Sequence, residues 1–390
     1  MKTDYKVLGN YIRLVDKRNR DLAITNLLGV SIEKRFIPSI ANIVGTDLSN
    51  YKVVQTGQFA YGPVTSRNGE KISIAYLESE DCIISSSYTV FEVTKKEELD
   101  PEYLMLWFSR PEFDRYARYK SHGSVREIFD WNELCMVELP VPDIKEQRNI
   151  VKAYRTIANR IALKKQINDN LVNVGVASIQ KNIGKGALIN LTDSEMENLV
   201  LKDGFSIKTV ADFCVDTKSG STPSRTNNKF WEDGTISWVK SGEVHNNITL
   251  KTEECITQEG LDGNSTKLLP KDTVLMAMYG VTAGEVGYLA IKATTNQAIC
   301  GMICHTKAEA AYLYFSLIQS QAAISRLSNG GAQDNLSKNF IDGINLVVPP
   351  TELIESLNLS AIIEQMTLNT KEIYLLEELQ ATALSQLSSR

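Results

Sequence analysis

Val137-Glu138-Leu139-Pro140-Val141-Pro142 runs into Ile144-Lys145-Glu146-Gln147-Arg148-Asn149-Ile150-Val151, and some 207–209 residues later Asn345-Leu346-Val347-Val348-Pro349-Pro350 runs into a helical stretch from Leu353 onward. An apolar run closed by prolines and followed by a helical period therefore occurs twice, the mark of a tandem repeat. Upstream, Tyr103-Leu104 recurs as Tyr312-Leu313, and His122-Gly123-Ser124 recurs as Gly330-Gly331-Ala332. A duplicated globular unit, each copy with its own helix, suits the reading of two places on one partner.

Within the first copy, β-type runs at Tyr51 to Val54, Phe59 to Tyr61, Ile72 to Tyr76, Cys82 to Ser85 and Tyr88 to Val93 are separated by Gly, Ser and Asn. Pro101 opens a helix whose buried face is Tyr103, Leu104, Leu106, Trp107 and Phe108, and a second helix spans Pro111 to Tyr119. Many short strands with few helices predict an α+β fold. From Glu146 the period changes. Ile150, Ala153, Ile157, Ile167, Leu171 and Val174 recur every three to four positions, interrupted by Arg160 and Lys164, which predicts one helix to about Ile179. Leu359, Ile362, Met366, Ile373, Leu376, Ala383 and Leu387 repeat that spacing, with Asn369 as a polar seam position. Apolar stripes of this length need a surface to cover them, and the two helices are expected to cover each other as an antiparallel coiled coil. The alternative is a pair of ordinary core helices.

At 390 residues, with 43% hydrophobic and 23% charged residues, the chain has material for two full cores. No apolar run reaches the ~18 residues of a membrane span, and Met1-Lys2-Thr3-Asp4-Tyr5 lacks the apolar stretch of a signal peptide, so no membrane association and a cytoplasmic location are expected. Cys82, Cys135, Cys214, Cys255, Cys300 and Cys304 are scattered as buried free thiols would be. Cys300, Cys304 and His305 raise a metal site, but a second ligand pair is missing at a suitable spacing, and no metal is expected. The formal net charge of −5 means that any nucleic-acid surface must be a local face. Acid-rich segments stand elsewhere, at Glu78 to Asp81, Glu97 to Glu102, Asp193 to Glu197 and Glu377-Glu378.

The second copy carries the sharper signature: Ser219-Gly220-Ser221-Thr222-Pro223-Ser224-Arg225, then Phe230-Trp231-Glu232-Asp233-Gly234-Thr235-Ile236-Ser237-Trp238-Val239-Lys240-Ser241-Gly242-Glu243. Leu269-Pro270-Lys271-Asp272-Thr273-Val274, Thr294-Thr295-Asn296-Gln297-Ala298 and Gly331-Ala332-Gln333-Asp334-Asn335-Leu336-Ser337 follow. This ordered set resembles the target recognition domain of Type I restriction-modification specificity subunits, and the resemblance covers nearly the whole chain. The first copy is similar to another variety of that domain, through Gln58-Phe59-Ala60-Tyr61-Gly62-Pro63, Arg67 and Ile83-Ile84-Ser85-Ser86-Ser87-Tyr88-Thr89-Val90-Phe91. Pro142-Asp143-Ile144-Lys145-Glu146-Gln147 matches the family's helix start, whereas Pro350-Thr351-Glu352-Leu353-Ile354-Glu355 lacks the Glu-Gln pair. The resemblance implies an α+β chain of two similar target recognition domains separated by two long helices that form an antiparallel coiled coil. The expected division is 1–142 for the first domain, 143–184 for the central spacer helix, 185–350 for the second domain and 351–390 for the C-terminal spacer helix. A helix of ~30 residues rising ~1.5 Å each would then act as a ruler of at most about 45 Å, against ~34 Å for one DNA turn.

The resemblance further implies a non-catalytic subunit that recognises a bipartite sequence in double-stranded DNA, one half per domain. Two methyltransferase subunits would dock on it, with a motor-nuclease subunit as an optional addition. No cofactor is expected on this chain; S-adenosylmethionine belongs to the methyltransferase, and ATP and Mg to the motor-nuclease. Base readout needs Arg, Lys, Asn or Gln on loops, while phosphates take Ser, Thr, Tyr, Lys and backbone N–H groups. The DNA-contact candidates are Tyr61, Arg67, Asn68, Lys71, Ser86, Tyr88 and Arg126 in the first domain. In the second they are Lys218, Ser221, Thr222, Arg225, Lys240, Tyr279, Thr282, Asn296 and Gln297. Glu146 and Gln147 are the partner-contact candidates. Pro223 reads most simply as a turn former and Trp238 as core. Chemistry on this chain is poorly supported: no phosphate-binding Gly-Lys-Ser/Thr loop, methyltransferase loop or nucleophile-type turn is present, and Asp143 with Glu146 lacks a metal-binding partner. A protein-interaction scaffold without a nucleic-acid role is the competing reading, and net acidity favours it.

Overall fold

The computed structural model describes residues 5–39, 45–66, 68–123, 127–189, 199–328 and 335–387. It divides into two compact units, one formed by Met1–Ile161 with Leu376–Arg390 and the other by Ala162–Leu375.

In the first unit an antiparallel sheet has the order Ile12–Val15, Thr89–Val93, Phe59–Tyr61, Ile74–Tyr76. Three two-stranded ribbons accompany it: Tyr5–Val7 with Glu138–Pro140, Lys52–Val54 with Cys82–Ile84, and Leu28–Val30 with Phe36–Pro38. Both faces of the sheet are covered, so successive residues of Phe59–Tyr61 enter different cores. Phe59 and Tyr61 join an aromatic core with Phe91, Phe108, Phe113 and Phe129, while Ala60 packs with Ala75, Cys82 and Val90. The Phe59 and Phe91 rings stack at 4.9 Å. The helices Pro101–Phe108 and Pro111–Tyr119 both begin with proline, whose fixed φ and missing N–H suit a first helical position. Asp100 caps the former by accepting from the N–H groups of Glu102 and Tyr103.

In the second unit five strands lie in the order Asp216–Ser219, Ile299–Ile303, Thr273–Ala277, Val286–Leu289, Ile248–Thr249. A three-stranded sheet places Ile236–Val239 between Glu254–Ile256 and Thr294–Thr295. A second three-stranded sheet centres Asn345–Val348 between Ala187–Leu188 and Ser206–Thr209. The helix Lys307–Ser328 supplies Tyr312, Leu313, Tyr314 and Phe315 to the core.

The repeat read in the sequence is a repeat of backbone hydrogen bonds. Leu8 N–H donates to the carbonyl of Val137 at 2.8 Å, and Val210 N–H donates to that of Ile344 at 2.9 Å. The Tyr103 hydroxyl donates to the carbonyl of Pro140 at 3.0 Å, and the Tyr312 hydroxyl donates to that of Val347. In both units the strand leading to a helix start, Glu138–Pro140 or Asn345–Val348, pairs antiparallel with an early strand, Tyr5–Val7 or Ser206–Thr209.

The first long helix is Ile144–Asn182, without a break. The second is interrupted: Thr351–Ser356 and Leu359–Gln386 are separate helices, and Asn358 between them has φ 51°. The expected continuous helical tail is corrected there, because a left-handed residue ends the hydrogen-bond ladder, and Asn tolerates that conformation better than most. Within the second unit Lys164 Nζ donates to Asn369 Oδ1 at 3.0 Å and pairs with Glu372 at 2.9 Å, while Asn369 Nδ2 donates to Asn168 Oδ1 at 2.9 Å. Rising numbers on one helix meet falling numbers on the other, so the segments are antiparallel. Asn369 is 1% exposed, and its amide, bonded through both Oδ1 and Nδ2, fixes the register that apolar contacts alone leave loose. Within the first unit Leu384 and Leu387 pack on the core beside Ile150, Val151 and Tyr154.

Gly175 is the one glycine inside the first long helix. A Cβ there would lie 2.3 Å from the ring of Phe315, so the glycine admits the close approach of the helix Lys307–Ser328.

Candidate nucleic-acid interface

Six of the nine candidates of the second unit converge on the sheet Glu254–Ile256, Ile236–Val239, Thr294–Thr295. Gly220 lets the Ser219–Arg225 loop lie against it: a Cβ at Gly220 would sit 2.0 Å from the Thr295 carbonyl oxygen, and Ser221 N–H donates to that oxygen at 2.9 Å. Two indoles hold the loop from below. Trp238 Nε1 donates to the Ser221 carbonyl at 3.1 Å and Trp231 Nε1 to the Ser224 carbonyl at 3.0 Å. Trp238 is core, as its strand-type setting suggests, but its polar edge shapes the loop.

Arg225 lies over both rings, 3.7 Å from the centroid of Trp231 and 4.9 Å from that of Trp238. Its Nη1 bonds Glu254. Lys240 bonds Glu253 and pairs with Glu254 at 3.1 Å. The Glu253 bond holds the Lys240 ammonium above its ordinary pKa, and Arg225 followed by Lys240 holds the Glu254 carboxyl below its own. Glu243 closes the cluster by accepting from the N–H groups of Lys240 at 2.8 Å and Glu253 at 2.9 Å.

Thr222 Oγ1 donates to Gln297 Oε1 at 2.6 Å, and Ser221 Oγ donates to Asn264 Oδ1 at 2.7 Å. Asn296 accepts on Oδ1 from Ala298 N–H at 3.1 Å, a turn-forming bond. Ser221, Thr222, Arg225, Lys240, Asn296 and Gln297 thus stand on three loops of one sheet. Lys218 pairs with Asp216 at 3.1 Å within one strand of the five-stranded sheet. Tyr279 is exposed, at a bend with Gly280 at φ 73°. Thr282 is not available for contact: it is 6% exposed and its Oγ1 donates to the Ser241 carbonyl at 3.3 Å, which corrects its reading as a surface group.

The first unit is organised differently. Tyr61 is fully buried between Phe91 and Phe129, where burial pushes its phenol well above the ordinary range, so the expectation of a DNA contact there is corrected. Asn68 donates to the Val64 carbonyl at 3.3 Å within a turn, and Lys71 pairs with Glu33 at 3.2 Å. Ser86 is exposed. Tyr88 is half-buried, its hydroxyl accepting from Val30 N–H at 3.5 Å. Asn68, Lys71 and Tyr88 are each bonded to a different neighbour. Arg67 and Arg126 lie outside the described residues, as does the Gly331-Ala332-Gln333-Asp334 segment of the second unit.

Of the two partner-contact candidates, Glu146 is exposed and Gln147 is 0% exposed. The Gln147 amide accepts from Asp100 N–H at 2.9 Å and donates to the carbonyls of Glu98 and Pro142, each at 2.8 Å. That side chain ties the long helix to its own unit and has no free face for a partner. Ile354, one turn into the helix Thr351–Ser356, is likewise buried.

The carboxylates Glu243, Glu253 and Glu254 and the ring of Trp231 were not among the candidates. No local signal marks them, because Glu254 reaches Arg225 across 29 positions of sequence. Among the described residues no helix is long and apolar enough to cross a membrane, and no cluster of three or more His, Cys, Asp or Glu side chains is placed to hold a metal ion.

Residues 37–173 and 202–378 match the family model of the Type I restriction modification DNA specificity domain. The specificity subunit of the Type I restriction enzyme EcoR124I/EcoR124II of Escherichia coli is 25% identical over 135 residues, which span 33% of this chain and 33% of that relative. The aligned part is thus a third of the relative's length. The crystal structure of a Type I restriction-modification S subunit from M. genitalium superposes with a TM-score of 0.55 at 14% identity, covering 99% of this chain and 96% of that one, which is a likeness of fold. Two matches of one domain model, on two units that share a backbone frame, place this chain in the Type I restriction-modification DNA specificity family.

Proposed function

We propose that this chain is the specificity subunit of a Type I restriction-modification complex, in which each unit reads one half of a bipartite sequence in double-stranded DNA. The carrying observation is a shared frame with unlike loops. The strand pairing, the Leu8 and Val210 bonds and the Tyr103 and Tyr312 bonds recur in both units, whereas the Gly220 loop and its tryptophans occur in the second alone. One scaffold carrying two different loop sets suits two different half-sites. The chain supplies recognition and the chemistry lies in partners: two methyltransferase subunits carrying S-adenosylmethionine, and a motor-nuclease subunit with ATP and Mg where the complex also cuts. The E. coli relative is described as the specificity subunit of a restriction enzyme, which supports that division.

The test is to co-express the chain with its methyltransferase subunit and map modified adenines. A two-part, asymmetric motif is expected, and exchange of the second unit's loops should alter one part only. A contiguous or palindromic motif overturns the reading. A complex that assembles yet binds no duplex favours the scaffold alternative.

A further inference from the structure

Arg225 differs from an ordinary surface arginine in three ways. It lies over two indoles set at 88° to each other, it is pinned on one side by Glu254, and its side chain stays 51% exposed. Among the described residues no other acceptor is bonded to its guanidinium, so the half-exposed group keeps N–H donors open to a ligand. A long side chain normally loses much of its conformational entropy on binding, and here most of that loss has occurred before any ligand arrives.

The surroundings decide which part of DNA such a group meets. Arg225 and Lys240 stand among Glu243, Glu253 and Glu254, two cations against three carboxylates. A phosphate gains little attraction from a cluster with no net positive charge. A base edge carries no formal charge and offers two acceptors to a planar fork, so the neighbouring carboxylates repel it far less than they repel a phosphate. The commonest specific contact of this kind is arginine to O6 and N7 of guanine.

Resting on the DNA-recognition reading above, we infer that Arg225 is a base-reading residue for a guanine in the major groove, with Glu254 as the positioning residue that orients its fork and keeps phosphates away.

The experiment uses the chain assembled with its methyltransferase subunits and the duplex defined by its methylation map. Each guanine of the recognised sequence is replaced in turn by 7-deazaguanine, which still pairs with cytosine but lacks the N7 acceptor. At one guanine the wild-type complex is expected to lose about tenfold or more in affinity, within the range of a bidentate pair. Arg225→Lys keeps the charge and loses the fork, so it should bind the unmodified duplex more weakly and ignore the deaza substitution at that guanine. Glu254→Gln should raise affinity for unrelated duplexes, steepen the salt dependence and narrow the gap between correct and incorrect bases at that position. The inference is overturned if Arg225→Lys binds as wild type while Arg225→Ala weakens all duplexes alike, the pattern of a phosphate contact, or if Glu254→Gln leaves discrimination and salt dependence unchanged. A complex with no preference among duplexes would instead sink the DNA-recognition reading itself.

Discussion

Tyr103 and Tyr312 do the same work in the two units, each tying a helix to a strand that leads into another helix, Ile144–Asn182 or Thr351–Ser356, yet one turn into those helices the units part company. The first buries Gln147 with three hydrogen bonds to its own backbone, and the second buries Ile354 in an apolar core. The same contrast holds at the candidate interface. In the first unit the most prominent aromatic candidate, Tyr61, belongs to the core; in the second, Trp231 and Trp238 turn their polar edges to a loop and their faces to a cation. A duplicated frame therefore preserves the hydrogen bonds that close each unit and leaves free whatever the frame does not need.

The largest expected effect that would break this comparison is at Tyr61. Tyr61→Ala should destabilise the first unit by about 3–5 kcal/mol in chemical denaturation, as for other buried aromatics, whereas Arg225→Ala should leave the second unit's unfolding midpoint nearly unmoved. Equal stability losses would erase the distinction between core and interface. Next comes the pair at the helix starts. Ile354→Ala should cost about 2–5 kcal/mol through the cavity left behind. Gln147→Met, which keeps volume but strands backbone groups of Glu98, Asp100 and Pro142, should cost about 1–3 kcal/mol. A neutral Gln147→Met, seen by thermal unfolding of the full chain, would mean that the glutamine is kept for something other than the fold.

A smaller loss sharpens the account of the long helix. Gly175→Ala puts a better helix former in place, a gain of about 1 kcal/mol, but sets its Cβ against the Phe315 ring, an overpacking penalty of about 1–3 kcal/mol. A net drop in the second unit's stability is expected, and a rise would show that the helices separate without loss. The smallest effect is electrostatic. Glu254 is held below its ordinary pKa of 4.5, first by Arg225 and then by Lys240, so its favourable pairing is complete above that value and fades as pH falls through the lower folded value. Carboxylate titration by NMR should place its midpoint below 4.5 and move it upward in Arg225→Ala, with stability at neutral pH changed by ~0–1 kcal/mol because the pair is exposed.

Much of the fold was legible because it follows from local chemistry. Pro101 and Pro111 mark true helix starts, and the apolar period from Ile150 to Val174 marks a true long helix, observed as Ile144–Asn182. Asn369, a polar break in an apolar stripe, is buried against Asn168 and Lys164 as a seam position should be. Of the site, the Gly220 loop, Arg225, Lys240 and Gln297 were legible as loop residues with the right donors and acceptors. Their meeting was not, since Thr222 bonds Gln297 from 75 positions away. Tyr61 misled because Phe59–Tyr61 lies mid-sheet with both faces covered, a setting in which alternation disappears. Asn358 misled for the opposite reason, since one left-handed residue leaves the apolar period intact while ending the helix.

By itself the sequence determined that this protein is a doubled α+β unit with two long apolar-striped helices, because periodicity, prolines and repeated strings act over a few residues and need no knowledge of distant neighbours. Only the tertiary structure decided which candidates are buried in the core and which stand together on one sheet, and that Glu254 bonds Arg225. Burial and ion pairing depend on strands that are far apart in the chain and adjacent only after it folds.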